Sequence, residues 1–305
     1  MSEVKDSYPM VSIITVNFNQ SEITCQLLES LRNISYPNFE VIVVDNASQN
    51  DDPSFINKMY PEINFIASAE NLGFAGGNNL GIKAAKGEYL LFLNNDTEVE
   101  KGFIEPLVNL LKINPSIGMV SPKIKFYYHP DTIQFAGYTP LNKVTLRNHL
   151  VGYRQTDSDK YNVSGPTHFS HGAAMIVPRH VIDEVGPMYE DYFLYYEELD
   201  WGTRIKNAGY DIWYKADSLV YHKESISTGK NSPLKTYYLS RNRLLYARKN
   251  LKGFTLITNL AFQFLVSAPK NLIGFLFKGD KDHFKSYLDG ISWHLSLRKQ
   301  ENIFN

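Results

Sequence analysis

The hydrophobic pattern changes period repeatedly along the first 125 residues. "MVSIITVNF" (10–18) is a β-branched run that ends in polar residues, and "SEITCQLLESLRNI" (21–34) then places Ile23, Leu27, Leu28 and Leu31 at helical spacing. Ser21 stands where an N-cap is expected. "FEVIVVDNAS" (39–48) reads as a second strand, "PSFINKMY" as a short helix and "INFIASAEN" (63–71) as a third strand. "AGGNNLGIKAAKG" (75–87) reads as a helix with Gly87 placed to close it. In "EYLLFLNND" the residues from Tyr89 to Leu93 are apolar without a break, as a strand covered on both faces requires. "KGFIEPLVNLLKINPSIGMVSPKI" then reads as a helix followed by a strand. Such alternation predicts an α/β fold, a Rossmann-like, mostly parallel sheet flanked by helices.

Past about residue 125 the alternation weakens into a loop-rich, polar stretch, followed by a short strand "AAMIVPR" (173–179) and a helix "RHVIDEVG" (179–186). Near the end, "FTLITNLAFQFLVSAPKNLIGFLFKG" (254–279) is strongly apolar, but Pro269 and Lys270 divide it into pieces each too short to span a bilayer as a straight helix. Arg248, Lys249 and Lys252 flank it upstream and Lys278, Lys281 and Lys285 downstream, which suits helices lying in a membrane interface. A helical pair capping the core, or a homodimer interface, meets the same pattern. The expected organisation is a main domain over 1–250, with halves 1–125 and 126–250, and a helical extension over 251–305.

At 305 residues the chain is long enough for one such domain with an appendage. A formal net charge of -1 gives no field for nucleic acid, so none is expected as a partner. The 20 Tyr and 18 Phe suit either a polar-aromatic binding surface or a Tyr-rich core. Cys25 is the only cysteine, which excludes an internal disulfide and a cysteine zinc cage. The opening "MSEVKDSYPM" is polar and charged, unlike a signal peptide, so a cytoplasmic protein is expected.

Three of the strands stop at polar clusters: Asn17-Phe18-Asn19, Asp45-Asn46-Ala47-Ser48 and Asn94-Asn95-Asp96. In an open parallel sheet the C-terminal strand ends share one edge, and ligands bind in the crevice beyond it. Asp96 there suits a divalent cation such as Mg²⁺ or Mn²⁺ whose shell a diphosphate completes, although Asn-Asp-Thr is also turn chemistry. Asp45 can accept hydrogen bonds from a base or a ribose, or can open an Asx-turn. "NLGFAGGNNLG" (71–81) lets backbone approach a nucleotide closely, but it is neither a Walker loop nor G-x-G-x-x-G.

The acidic segment "YEDYFLYYEELDWGTRIKNAGYDIWY" (189–214) sets Glu197, Glu198 and Asp200 at a helix start, where the dipole favours carboxylates, with Arg204 one turn after Asp200. A charged helix start is the plain reading. The upstream aromatic wall of Tyr192, Phe193, Tyr195 and Tyr196 supports another: carboxylates partly desolvated there gain pKa and suit a general base. His222 ends a later β-like run and is either structural or a ligand.

In order, "VSIITVNFNQ", "VIVVDNASQND", "NLGFAGGNNLGI", "GEYLLFLNNDTEV", "HGAAMIVPR", "VGPMYEDYFLYYEELDWGTRIKNAGY", "VYH" and "YYLSRNRLLYARKNL" extend over roughly residues 10–250. In these motifs the chain resembles the inverting family-2 glycosyltransferases of GT-A fold, especially the rhamnosyltransferase-like branch of bacterial surface polysaccharide synthesis. The resemblance implies that Asn94-Asn95-Asp96 is the D-x-D metal motif with Asn in its first place, that Asp96 and His222 are metal ligands, and that Asn95 lies at the donor. It implies nucleotide or donor contacts at Asn17, Asp45, Ser48, Asn71, Gly73 and Asn78, and places Arg241 and Arg243 near the diphosphate or acceptor unless they form an ordinary basic helix. Glu198 takes the position of the catalytic base, with Glu for the usual Asp, and Glu197 or Asp200 as the other carboxylates able to serve. The implied reaction is a single displacement with inversion, moving a sugar from a nucleotide-diphosphate donor, dTDP-L-rhamnose among the candidates, to a saccharide or lipid-linked acceptor. The implied location is the cytoplasm or the inner face of the cell membrane. A nucleotidyltransferase and a non-catalytic sugar-nucleotide or glycan-binding module are the competing readings.

Overall fold

In the computed structural model, which describes residues 8–223 and 232–296, the alternating first half forms parallel strands with helices between them. Strands β1 (Val11–Asn17), β2 (Phe39–Asp45), β3 (Asn64–Ala67) and β4 (Tyr89–Leu93) lie in the order β3-β2-β1-β4, all parallel. Asn17 pairs with Asp45 at the last rung, so the polar ends of β1 and β2 are level. Beyond β4 the sheet becomes mixed. β9 (Ala174–Pro178) runs antiparallel to β4 and touches β6 (Ile117–Phe126), and β6 runs parallel to β10 (Asp211–His222). β5 (Thr97–Val99) pairs antiparallel with the end of β10, β7 (His129–Phe135) with β6, and β8 (Gly165–Pro166) with β10. The charged opening "MSEVKDS" lies outside the described residues.

The unbroken apolar run of β4 follows from its place in mid-sheet. Tyr89, Leu91 and Leu93 join the core on the side of α1 (Ser21–Leu31) and, after the short α2 (Ser54–Met59) and α3 (Gly73–Ala84), α4 (Ile104–Ile113). Leu90 and Phe92 face the other side, where α3, α5 (Arg179–Val185) and α6 (Glu197–Asn207) pack. Phe92 meets the fully buried Trp201 of α6 edge to face, with ring centroids 5.4 Å apart. A last long helix of the domain, α7 (Pro233–Asn250), follows β10.

Several local expectations are corrected. Helix α3 starts at Gly73 and ends at Ala84, with Ala85 already extended. Gly87 is therefore no helix cap; a Cβ there would stand 2.5 Å from the Ser12 backbone nitrogen, so glycine lets the chain pass β1. Ser21 is not the N-cap of α1 either, since Gln20 holds that place and the Ser21 N–H donates to Asp51. The stretch read as loop after residue 125 contains β7, whose outer half is exposed and so carries no apolar alternation. The tail was expected as two short pieces divided at Pro269, but the helix is continuous over Gly253–Phe277, 25 residues. A π-type turn over Gln263–Ser267, in which the Ala268 N–H reaches the Gln263 carbonyl, widens the helix just ahead of the proline and accommodates its ring. A closing helix, Lys281–Ser296, packs on α7.

Helix α3 can approach β1 because its inner face lacks side chains: a Cβ at Gly81 would lie 2.3 Å from Ile14 Cγ2, and one at Gly77 2.9 Å from Val16 Cγ1. Gly81→Val is expected to lower stability by about 1–3 kcal/mol through overpacking, read as the midpoint of urea unfolding. An unchanged midpoint would mean that α3 is not seated on β1 in this way.

Candidate active site

At the C-terminal edge of the parallel strands lies a cavity of about 500 Å³. The turn after β4, the end of β10, the β9 approach and the start of α6 all contribute walls. Asp96 and His222 come from positions 126 residues apart, yet His222 Nε2 stands 3.0 Å from Asp96 Oδ1, both buried. β5 pairing with β10 places Thr97 opposite His222 and so fixes this meeting. On its other side His222 Nδ1 lies 2.8 Å from Gln134 Oε1. A carbonyl oxygen only accepts, so Nδ1 donates there, and Nε2 faces the Asp96 carboxylate across a gap that a proton or a cation can bridge.

That donor set fits a divalent cation bound partly through its substrate. At 3.0 Å from each other, Asp96 Oδ1 and His222 Nε2 would both be able to reach one small cation. Among the described residues no three Asp, Glu, His or Cys side chains group as a metal cage, so a diphosphate and water would have to complete the shell.

Across the cavity, Glu197 and Glu198 head α6. Burial first, then the charge of Glu198, pushes the Glu197 carboxyl well above the usual carboxylate range. Burial also raises Glu198, against the amide N–H groups of Glu198, Leu199 and Tyr196, which favour its anion. Each charge opposes the other, so the pair, with Glu197 4 % exposed, keeps a proton to higher pH than an isolated carboxyl does. Glu198 Oε2 has no hydrogen-bond partner among the described residues. Between this pair and Asp96–His222 the floor is the stacked pair Tyr138 and His171, with ring centroids 6.4 Å apart and planes at 8°. Burial lowers His171 to about 3, so it is a neutral imidazole.

The other expected residues divide into two groups. Asn71, Gly73 and Asn95 line the cavity with Asp96, Glu197, Glu198 and His222. Asn71 Oδ1 accepts from Asn46 and from the Gly73 N–H, while Asn95 donates to Thr24 in α1. Asp45, Asn17 and Ser48 form a closed cluster beside it instead. Asp45 Oδ1 accepts from Asn17 Nδ2 at 2.8 Å and from Ser48 Oγ at 2.6 Å, and Asn46, next in sequence, is the residue that reaches the cavity. Asn78 is buried and donates to the Phe74 carbonyl.

Two expected site residues are placed away from the cavity. Asp200 is buried, paired with Arg204 at 2.9 Å, and accepts from Tyr192 and Asn250. Arg241 is buried and donates to the carbonyls of Asp191 and Tyr192 rather than facing the cavity. Arg243 donates to the Tyr196 hydroxyl. Gln134, Tyr138, His171 and Lys235 line the cavity unforeseen. Gln134 and Tyr138 come from the stretch read as loop, and His171 had been visible only as the first letter of a motif.

Residues 12–186 match the family model described as "Glycosyl transferase family 2". The low-salt glycan biosynthesis hexosyltransferase Agl10 of Haloferax volcanii is 26% identical over 240 residues, 77% of this chain and 74% of its own length. The N-acetylglucosaminyl-diphospho-decaprenol L-rhamnosyltransferase of Mycobacterium tuberculosis is 24% identical over 73% of this chain and 78% of its own. In fold the chain is similar to the mannosyltransferase PcManGT from Pyrobaculum calidifontis, solved with GDP-Man and Mn²⁺: TM-score 0.57, 16% identity, over 95% of this chain and 87% of that one. This likeness and the mixed sheet make the fold GT-A.

A carboxyl whose pKa rises on folding binds its proton more tightly in the folded state, so its contribution falls as pH climbs from the unfolded value, about 4.3, through the raised folded one. Glu197→Gln removes that loss. It is expected to raise the thermal midpoint at about pH 8, by about 2–4 °C for each kcal/mol relieved, and to give no gain at about pH 4. Equal midpoints of variant and parent at alkaline pH would show that Glu197 ionises without penalty.

Proposed function

This chain belongs to glycosyl transferase family 2, and we propose that within the family it is a metal-dependent, inverting enzyme that moves a sugar from a nucleotide-diphosphate donor to a saccharide or lipid-linked saccharide acceptor. One observation carries this reading: the Glu198 carboxyl, whose Oε2 has no hydrogen-bond partner among the described residues, and the Asp96–His222 pair line the same cavity from opposite elements. Glu198 accepts the proton of the acceptor hydroxyl as that oxygen attacks the anomeric carbon, and the sugar–phosphate bond breaks on the opposite face. Asp96 and His222 hold Mn²⁺ or Mg²⁺, with Gln134 fixing the imidazole. When bound, the cation supplies charge against the departing diphosphate. Asn46, Asn71 and Gly73 contact the nucleotide side, with Asp45, Asn17 and Ser48 behind them and Asn95 beside the metal position. The rhamnosyltransferase relative favours dTDP-L-rhamnose as donor, and surface polysaccharide synthesis as the setting.

The tail supports attachment to the cytoplasmic face of a membrane. Asn259 donates to the carbonyls of Lys143 and Val144, so the long helix lies along the domain by one side. Its other side leaves Phe254 80 % and Phe277 89 % exposed, with Leu265 and Leu276 between them. Lys252, Lys270, Lys278 and Lys281 are exposed along the same helix and just past it, a complement to anionic headgroups.

Turnover of a panel of nucleotide-sugars, with and without Mn²⁺ or Mg²⁺, tests the reading. Glu198→Gln is expected to lower transfer at least about 10²-fold while nucleotide binding survives; equal transfer by that variant would move the base elsewhere. Binding without turnover, even with lipid-linked acceptors supplied, would leave a sugar-nucleotide-binding module. Flotation with vesicles containing anionic phospholipid should carry the protein, and Phe254→Glu with Phe277→Glu should abolish this. A stable dimer that ignores vesicles would assign the apolar face to a second copy.

A further inference from the structure

The segment that delivers the Glu197–Glu198 pair is held in backbone conformations that its own residues disfavour. Phe193 has φ 61° and ψ -58°, and the Leu194 N–H reaches back to the Tyr192 carbonyl at 2.6 Å, which makes a γ-turn of the rare, strained kind. Tyr195 at φ 70° and Tyr196 at φ 76° are also left-handed, and Glu197 follows as the first residue of α6. Left-handed non-glycine residues are uncommon, and bulky ones persist only where the surroundings hold them. Here three aromatic residues among four consecutive positions do so.

What holds them is one buried side chain of α7. Asn242, fully buried, directs its amide nitrogen at the carbonyls of Tyr192, Leu194 and Tyr195, at 2.8, 2.7 and 2.7 Å. Its amide orientation is fixed as well: Arg241 Nε donates to Asn242 Oδ1 at 2.8 Å, and Arg241 Nη2 donates to the carbonyls of Asp191 and Tyr192. The remaining carbonyl of the turn, Phe193, accepts from the Phe74 N–H in α3 at 2.6 Å. Every carbonyl from Asp191 to Tyr195 therefore has a donor from outside the segment. On the other side of the last two of these peptides, the Tyr195 N–H favours the Glu197 anion and the Tyr196 N–H the Glu198 anion.

We infer that Asn242, oriented by Arg241, is a positioning residue for the catalytic base. It does not line the cavity; it clamps the strained aromatic turn so that the Tyr196 amide just ahead of α6 holds Glu198 at the cavity wall. The inference rests on the proposed role of Glu198, and it also assigns a function to Arg241 other than the donor contact expected from sequence.

Asn242→Ala and the milder Arg241→Lys test it by three readouts: hydrogen exchange of the peptide spanning residues 190–200, nucleotide affinity, and kcat against donor KM. Release of the clamp should speed exchange in that peptide at least about tenfold while peptides of β1, β2 and β4 keep their protection. It should lower kcat about 10²-fold, as a small displacement of a catalytic group does, with nucleotide affinity and donor KM within about threefold of the parent. Should Asn242→Ala fail to fold, Arg241→Lys carries the test. Unchanged exchange at 190–200 in a folded variant overturns the inference. So does an equal rise in exchange over the whole chain, or a loss of kcat matched by loss of nucleotide binding. If the parent protein turns over no nucleotide-sugar, the functional reading fails, and the exchange measurement still decides whether Asn242 clamps the turn.

Discussion

Parallel pairing imposes one constraint from which the rest of the site follows: strands that run the same way must end on the same edge. β1, β2 and β4 bring Asn17, Asp45 and the Asn94–Asp96 turn to that edge because their hydrogen-bond register leaves no other place for them. Past their last rungs the backbone groups lose ladder partners, and short polar side chains take over. Asn17, Asp45, Ser48 and Thr24 satisfy one another there, so the edge is a fixed polar wall before any ligand arrives. The opposite wall cannot come from the same parallel set. It is supplied by β10, whose end is tied to β5 just after Asp96, and by α6 behind β9.

The electrostatics of that enclosure separate residues that look alike in sequence. Glu197, Glu198 and Asp200 occupy one turn of helix but meet three environments. Asp200 turns inward to Arg204, Tyr192 and Asn250, and its charge is fully compensated. Glu197 is buried beside another carboxyl and holds its proton. Glu198 also lines the cavity, with amide donors for its anion and one oxygen left without a partner among the described residues, and unlike Glu197 it is only half-buried. A cluster of acids at a helix start is ordinary, but a buried carboxyl pair that shares its charge burden beside a compensated third acid is not.

Much of this was legible without coordinates, and the failures have physical causes. The β-branched runs and the polar residues that stop them identify the parallel strands, because strand burial and strand ends are both local signals. The meeting of Asp96 with His222 was legible only through the resemblance, since nothing local joins them across 126 residues. Gln134 was missed because β7 exposes its outer half and loses the alternation that marks a strand, and Tyr138 because it lies in the loop that follows. Arg241 was misjudged for a different reason. A buried arginine that serves backbone carbonyls has the same sequence appearance as one that grips phosphate; only the strained turn opposite it distinguishes the two. Pro269 misled in the same manner, because a single wide turn upstream lets the helix continue where a regular one would stop.

The last helices join these parts into one mechanical unit. The closing helix, Lys281–Ser296, sets Gly290 so tightly against α7 that a Cβ would lie 2.2 Å from Ser240 Oγ, and Trp293 covers the Arg241 guanidinium at 4.7 Å. His294 Nε2 lies 2.8 Å from the Arg241 carbonyl. The helix that carries the exposed apolar face is thus continuous, through its partner, with the arginine and asparagine that constrain the aromatic turn. In a tightly packed interior such contacts transmit displacement rather than absorb it. The tail thus packs, through the closing helix, against the α7 residues that hold the aromatic turn ahead of α6.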